Sequence, residues 1–220
     1  MKETQVITRQ RVADFGEVYT SAREVNAMLD LVKQETERIE SRFLEPACGS
    51  GNFLVEVLSR KLNRIASRYA KSRHEYERYA ISAVSSLYGI DILEDNVRKC
   101  RRRLFIFFLE QYKNYFSLLS CDDLIKTVKF ILKRNIIWGD ALTLQTVKKP
   151  LKPIIFAEWS FLGGMVKRRD FTFSELLSGS VNGEAPIYSD ANEAVFIPQP
   201  IKEFAPVNYL KIWRMEKTAA

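Results

Sequence analysis

The fold is decided by the stretch Leu44-Glu45-Pro46-Ala47-Cys48-Gly49-Ser50-Gly51-Asn52-Phe53. A short apolar-centred run over residues 42–45, typical of a buried strand, leads into it. After it, apolar residues recur at helical spacing from residue 53 to residue 58. Gly49 and Gly51 carry no Cβ, so the backbone can approach a ligand closely there. Strand, glycine turn and helix together predict a ligand crevice at the carboxyl end of a parallel strand.

Two later segments place an acidic residue at a strand end. The first is Tyr88-Gly89-Ile90-Asp91-Ile92, and the second is Trp138-Gly139-Asp140-Ala141-Leu142. The Asp91 carboxylate can accept hydrogen bonds from a ribose diol, and Asp140 can accept from an adenine amino group. Ile92 can pack against the adenine ring. One glycine turn followed by two strand-end acids therefore predicts an adenosine-like ligand.

Helices are predicted between the strands and beside them. Apolar spacing indicates helices over residues 22–39 and 122–132, and one whose buried face spans residues 104–112. A further strand is expected at residues 154–156. This alternation predicts an α/β fold with a mostly parallel sheet. Gly, Pro, Ser and Asn break up the chain after Ser178, so residues 178–220 are expected to be a loop-rich and strand-rich tail of the domain formed by residues 1–177.

Composition limits the class of protein. A chain of 220 residues that is 46% apolar is expected to form one domain. Its net charge of +7 favours polyanionic partners such as DNA, and the basic clusters at residues 99–103 and 167–169 are either phosphate-binding surfaces or solvated faces.

Three cysteines without a C-x-x-C spacing and one histidine favour neither a disulfide framework nor a metal site. Without a signal peptide or a membrane-spanning run, a cytoplasmic protein is expected.

The motifs resemble those of the adenine-N6 DNA methyltransferases of restriction-modification systems. The segments that carry the resemblance occur in the family's order: Phe15-Gly16-Glu17-Val18-Tyr19-Thr20-Ser21, Glu45 to Phe53, Tyr88 to Ile92, and Gly139 to Leu142. They extend over residues 12 to about 160. The resemblance implies a Rossmann-like, S-adenosyl-L-methionine-dependent methyltransferase fold, with no metal.

The resemblance also implies where the cofactor binds. Nine positions would contact it: Tyr19, Thr20, Glu45, Ala47, Gly49, Asp91, Ile92, Asp140 and Ala141. Tyr19 and Thr20 would border the methionine end of the cofactor. Glu45, Ala47 and Gly49 would line the turn beneath it. Asp91 would hold the ribose, Ile92 would pack against the adenine, and Asp140 with the Ala141 backbone would contact the adenine edge.

The catalytic motif of that family is replaced in this chain. In the family the next strand ends in Asn-Pro-Pro-Tyr, whose polar groups accept the adenine amine hydrogens while the aromatic ring stacks on the extruded base. This chain contains no Pro-Pro, and Ala157-Glu158-Trp159-Ser160-Phe161 stands at the expected place. Either Glu158 accepts the amine and Trp159 or Phe161 stacks on the base, or the two aromatic residues simply fill the core.

Three functions remain open at this point. The first is DNA adenine-N6 methylation in a restriction-modification or defence system, by direct displacement. It would need a specificity subunit or a second methyltransferase subunit, because only about 60 residues follow the altered segment. The second is a catalytically inactive, cofactor-binding regulatory or structural subunit. The third is a methyltransferase that acts on a substrate other than DNA.

Overall fold

A computed structural model describes residues 11, 20–119, 121–178, 187–188, 194–195 and 198–216. The described chain is a mixed α/β structure. Its helices are α1 (Ala22–Asp30), α2 (Lys33–Glu37), α3 (Asn52–Tyr69), α4 (Arg73–Ser85), α5 (Glu94–Lys113), α6 (Asp122–Asn135) and α7 (Phe173–Ser178), with a 3-10 helix at Tyr209–Arg214. Its strands are β1 (Phe43–Glu45), β2 (Leu87–Asp91), β3 (Ile136–Asp140), β4 (Gln145–Thr146), β5 (Ile155–Leu162), β6 (Met165–Thr172), β7 (Ile187–Tyr188), β8 (Ala194–Val195) and β9 (Lys202–Asn208).

The predicted parallel sheet is confirmed for β1, β2 and β3. The strand order of this sheet is β1-β2-β3-β4, and only β4 runs antiparallel to its neighbour. Leu44 pairs with Tyr88, and Asp91 pairs with Trp138, so the carboxyl ends of the three strands lie side by side. Helices α3 and α5 follow β1 and β2, as expected for strand–helix–strand units.

The helix predicted over residues 22–39 is two helices. Ser21 caps α1 by accepting from the Glu24 backbone N–H, and the chain leaves the helix after Asp30. Of the apolar residues that suggested one long helix, Val25 is buried, whereas Val32 is 46% exposed. In α2 the buried residue is Thr36, so the face that packs inward changes between the two helices.

A buried lysine connects α3 to the start of β1. Lys61 is fully buried, and its ammonium donates to the carbonyl groups of Ile39 and Ser41 and to the hydroxyl of Ser86. It therefore fixes the loop that leads into β1 against the residue that precedes β2.

The strand predicted at residues 154–156 does not extend the parallel sheet. It is β5, which continues to Leu162 and forms a separate antiparallel sheet in the order β5-β6-β9. The cause is a hairpin: Gly163 has φ of 60° and, with Gly164, connects Leu162 to Met165 in a two-residue turn. The mostly parallel sheet of the sequence-based prediction is thus limited to the first three strands.

The tail contains more regular structure than its composition indicates. β9 pairs with β6, and the 3-10 helix that follows packs on α6, where the Thr127 hydroxyl donates to the Leu210 carbonyl. β7 and β8 pair with each other. None of the helices in the described ranges is both long enough and apolar enough to cross a membrane.

Candidate cofactor site

The glycine turn after β1 requires glycine at residue 51. Gly49 and Gly51 have φ of 51° and 89°, values that other residues rarely adopt. A Cβ on Gly51 would lie 2.7 Å from Sγ of Cys100 on α5. The turn is therefore both left-handed and pressed against the neighbouring helix, which brings its backbone to the carboxyl edge of the sheet.

Asp91, at the end of β2, holds this turn in place. One carboxylate oxygen, Oδ2, accepts the backbone N–H of Gly49 at 2.8 Å. The other, Oδ1, accepts the N–H of Leu93 at 2.8 Å and the side-chain amide of Asn96 at 3.3 Å. A carboxylate has about four acceptor positions, so the described residues leave roughly one for a ligand hydroxyl. Asp91 is consequently a support of the site as well as a candidate ligand-binding group.

Asp140 occupies the corresponding place on β3. Its Oδ1 accepts the N–H of Leu142 at 2.9 Å, and the residue is half-buried. Because Asp91 pairs with Trp138, Asp140 lies two residues further along the neighbouring strand, at the same edge. Ile92, which follows Asp91, is 46% exposed although it is apolar. Its carbonyl accepts the indole N–H of Trp138 at 3.0 Å.

The amino end of α3 faces the same turn. This helix has 18 residues, and its N-cap residue, Gly51, has no side chain to satisfy the first backbone N–H groups. Such an end carries a partial positive charge and free donors, which suit a carboxylate or phosphate. The helix start is held by Asn52, whose amide donates to the Thr20 carbonyl at 3.0 Å.

Arg103 is a supporting residue that the motifs do not reveal. From α5 its guanidinium donates to the Ser50 carbonyl at 2.9 Å, the Ser50 hydroxyl at 2.8 Å and the Asn52 side-chain oxygen at 2.6 Å. It lies more than 50 residues away in sequence, within a basic cluster, so spacing alone gives no signal of this role.

Most of the predicted cofactor residues meet at one edge. Eight of the nine belong to the described chain and lie at the carboxyl ends of β1, β2 and β3 or beside the turn: Thr20, Glu45, Ala47, Gly49, Asp91, Ile92, Asp140 and Ala141. The ninth, Tyr19, falls outside the described residues. Burial raises the pKa of the Glu45 carboxyl, opposed by a hydrogen bond from the Ala47 backbone.

The three catalytic candidates lie elsewhere, because β5 runs away from this edge. β5 is preceded by Ile154, whose side chain packs under Gly139 near the carboxyl end of β3. Further on, the Ala157 carbonyl accepts a hydrogen bond at 2.9 Å from the hydroxyl of Tyr88, the second residue of β2. Trp159 then reaches Asn135, the residue just before β3 begins. β5 thus carries its later residues to the amino edge of the parallel sheet.

Each of these candidates is engaged in internal contacts at that edge. Trp159 is 6% exposed and donates its indole N–H to Asn135 Oδ1 at 3.0 Å. Glu158 forms ion pairs with Arg42 at 2.7 Å and Arg169 at 2.6 Å. Phe161 is partly buried against the core. The structure does not bring the three together with the predicted cofactor residues.

The basic clusters are largely used inside the protein. Arg101 donates to the Ile136 carbonyl at 2.9 Å, and Arg103 holds the turn as described above. Arg168 is buried between Asp170 and Glu216. Within the described residues no group of three or more His, Cys, Asp or Glu side chains is arranged to hold a metal ion.

The chain matches the model of a known protein family. A family model described as MmeI, DNA-methyltransferase domain, matches residues 19–149, a range that ends in the loop between β4 and β5. No curated protein and no solved structure matches significantly. The matched range contains the glycine turn, both strand-end acids and the helix amino end. The chain therefore belongs to the family of the MmeI DNA-methyltransferase domain.

Proposed function

We propose that this chain is the S-adenosyl-L-methionine-binding subunit of a DNA adenine-N6 methyltransferase of a restriction-modification or defence system, and that it methylates DNA only together with a second polypeptide. The single observation that carries the proposal is the alignment of Gly49, Asp91 and Asp140 at adjacent strand ends within the matched domain. The parallel order of β1, β2 and β3 supports the proposal that the fold is Rossmann-like.

The described residues fit the cofactor chemically. The uncapped amino end of α3 is a suitable place for its methionine carboxylate. Asp91 retains acceptor capacity for a ribose hydroxyl, and the exposed Ile92 offers an apolar surface to the adenine. Asp140 has one oxygen to which no described residue donates a hydrogen bond, which suits an adenine amino group. When bound, the cofactor would supply an electrophilic methyl group for direct displacement.

What the chain's own residues do in such a reaction is bind and orient the methyl donor. Methyl transfer to adenine also needs acceptors that hold the exocyclic amine and a ring that stacks on the extruded base. Glu158 and Trp159 are occupied by Arg42, Arg169 and Asn135 and lie at the opposite edge. This placement favours a chain that binds the cofactor but does not transfer a methyl group by itself. A catalytically inactive regulatory or structural subunit would behave in the same way.

The test measures cofactor binding and methyl transfer separately. The purified chain is incubated with S-adenosylmethionine labelled on the methyl group and with unmethylated DNA, and the digested DNA is analysed for N6-methyladenine. We expect saturable cofactor binding with no incorporation by the chain alone, and incorporation when a specificity subunit or a second methyltransferase subunit is added. Methylation of DNA-free cell extract by the chain alone would instead establish a substrate other than DNA.

A further inference from the structure

Arg11 binds the beginning of helix α5, which is 84 residues away in sequence. Its guanidinium donates to both carboxylate oxygens of Asp95, at 3.0 Å and 3.3 Å, and to the side-chain oxygen of Asn96 at 3.4 Å. Together with Lys99, it holds the pKa of the Asp95 carboxyl well below its usual range, so this carboxyl is ionised. Arg11 is thus attached to the first turn of the helix that follows Asp91.

Asn96 connects Arg11 to Asp91. Its side-chain amide donates to Oδ1 of Asp91 at 3.3 Å, and the residue is only 2% exposed. A guanidinium carries donors alone, and an ionised carboxylate carries acceptors alone. Asn96 must therefore present its oxygen to Arg11 and its NH2 group to Asp91. Arg11 thereby disfavours the flipped amide, in which the Asn96 oxygen would face the carboxylate.

The direction of the Asp91 carboxylate depends on its hydrogen-bond donors. The terminal torsion of an aspartate is broad, so the torsion itself does not fix the two oxygens. Among the described residues, Oδ1 accepts from the Leu93 N–H and from Asn96, whereas Oδ2 accepts from the Gly49 N–H alone. The acceptor position left for a ribose hydroxyl therefore lies on Oδ2. Of these three donors, Asn96 is the one that can change its own orientation.

The beginning of helix α3 has the same arrangement. Arg103 donates to the Asn52 side-chain oxygen at 2.6 Å, and the Asn52 amide donates to the Thr20 carbonyl at 3.0 Å. In both places a guanidinium fixes an asparagine amide, and that amide holds a predicted cofactor residue. The repetition favours a role for these contacts in orienting the site.

We infer that Arg11 is a positioning residue of the cofactor site: it fixes the Asn96 amide, and this amide keeps Oδ2 of Asp91 directed towards the ribose of the cofactor. The inference rests on the proposed function, which assigns S-adenosylmethionine to the site at Asp91. It gives a role to a residue that precedes the segment from Phe15 to Ser21 and belongs to none of the family's motifs.

Lys99 provides a matched control for Arg11. It donates to the same Asp95 carboxylate at 2.9 Å, but of these two cations only Arg11 donates to Asn96 in the part of the chain that the structure describes. Arg11→Met and Lys99→Met each remove one positive charge. Calorimetry should show an affinity for S-adenosylmethionine about threefold to tenfold lower in Arg11→Met, and changed by less than about twofold in Lys99→Met. Equal affinities in the two variants overturn the inference.

A ligand without ribose hydroxyls shows whether Arg11 acts through Asp91. S-adenosylhomocysteine and its 2′,3′-dideoxy analogue are titrated into the wild-type chain and into Arg11→Met. The substitution should weaken the first ligand about threefold to tenfold and the second less than about twofold, because only the first can donate to Asp91. A loss of equal size with both ligands overturns the inference, since Arg11 would then support the turn in general.

The orientation of the amide is measured without any ligand. NMR follows hydrogen exchange of the Asn96 side-chain amide. We expect this exchange to be at least about tenfold faster in Arg11→Met than in the wild-type chain or in Lys99→Met. Unchanged exchange in Arg11→Met overturns the inference. Arg11→Lys keeps the charge without the forked donors, so it should show smaller changes in the same direction, and it decides the question if Arg11→Met does not fold.

The wild-type titration separates this inference from the proposed function. Saturable S-adenosylmethionine binding that is equally strong in Arg11→Met overturns the positioning role alone. Absence of binding by the folded wild-type chain overturns the proposed function and, with it, the role of Arg11 towards the cofactor. A response of Asn96 exchange to Arg11→Met would then leave Arg11 as a support of the fold.

Discussion

The backbone N–H of Gly49 donates a 2.8 Å hydrogen bond to Oδ2 of Asp91, 42 residues further along the chain. This bond ties the glycine turn after β1 to the end of β2. It also means that the carboxylate most directly implicated in binding a ribose is part of the scaffold of the site. Substitutions at the two strand-end acids should therefore have different effects.

Asp91→Ala is expected to lower both stability and cofactor affinity, because it leaves the N–H groups of Gly49 and Leu93 without their acceptor. The loss in unfolding free energy should be about 1–3 kcal/mol, measured by urea denaturation. Asp140→Asn, which keeps an acceptor for the Leu142 N–H, should reduce cofactor affinity with little change in stability. Equal loss of stability in both variants would contradict this division of roles.

Ile92→Ala tests the site with little risk to the fold. The side chain is 46% exposed, so its removal should change stability by less than about 0.5 kcal/mol. If the cofactor packs on Ile92, the affinity for S-adenosylmethionine should fall about fivefold to twentyfold, corresponding to ~1–2 kcal/mol of lost apolar contact. Leu31→Ala, at an 86% exposed aliphatic residue outside the site, is the matched control and should bind normally. Unchanged affinity in Ile92→Ala would remove Ile92 from the site.

Gly51→Ala and Gly163→Ala separate backbone strain from steric conflict. Both glycines have positive φ, 89° and 60° respectively. A Cβ at Gly163 meets nothing within 4 Å, so only strain of about 1 kcal/mol is expected there. A Cβ at Gly51 would lie 2.7 Å from Cys100 Sγ, which should add about 1–3 kcal/mol. Thermal unfolding measures both, and the prediction is wrong if Gly163→Ala is the more destabilised variant.

Lys61 should give the protein a distinctive dependence of stability on pH. Burial lowers the pKa of its ammonium from 10.5 to about 7, despite the carboxylates of Glu35 and Glu40. Between these two values the unfolded chain binds more protons than the folded chain, so this group makes stability rise as pH increases from about 7 towards 10.5. Lys61→Met should abolish this contribution to the slope. Identical slopes in urea titrations of both proteins between pH 7 and pH 9 would refute the assignment.

Trp159→Phe distinguishes a core residue from a base-stacking one. The substitution removes the indole donor to Asn135 and creates a small cavity, which should cost about 1–3 kcal/mol of stability. Cofactor affinity and, with a second subunit present, methyl transfer should remain unchanged in the folded variant. A variant of normal stability that has lost methyl transfer would restore Trp159 to the catalytic site.

The common edge at which the predicted cofactor residues lie was predictable because its determinants are local. Gly49, Asp91 and Asp140 each lie within a short strand-end motif, and consecutive parallel strands bring such motifs to one edge. The direction of β5 was not predictable in this way. It depends on the Gly163 hairpin and on contacts such as Trp159 with Asn135, which join residues far apart in sequence. The apolar run at residues 154–156 looks the same whichever sheet it joins.

The residues that hold the site in place were equally difficult to predict from the sequence. Arg103 donates three hydrogen bonds to the turn from more than 50 residues away in sequence, and Asn96 donates to Asp91, but neither residue belongs to a motif. Charge density on α5 suggested a surface for phosphate, whereas the structure uses Arg101 and Arg103 to bind backbone carbonyl groups. The positive net charge therefore led to the expectation of a polyanionic partner, but it did not indicate which surface would bind that partner.

The central claim is that the edge formed by the glycine turn, Asp91, Ile92 and Asp140 binds S-adenosylmethionine, and calorimetric titration of the folded chain tests it most directly. The account predicts saturable binding at one site per chain, weakened in Ile92→Ala and Asp140→Asn. A folded chain that gives no binding heat at any temperature tried, and whose melting temperature the cofactor does not raise, would contradict the claim and leave the motifs as elements of the fold alone.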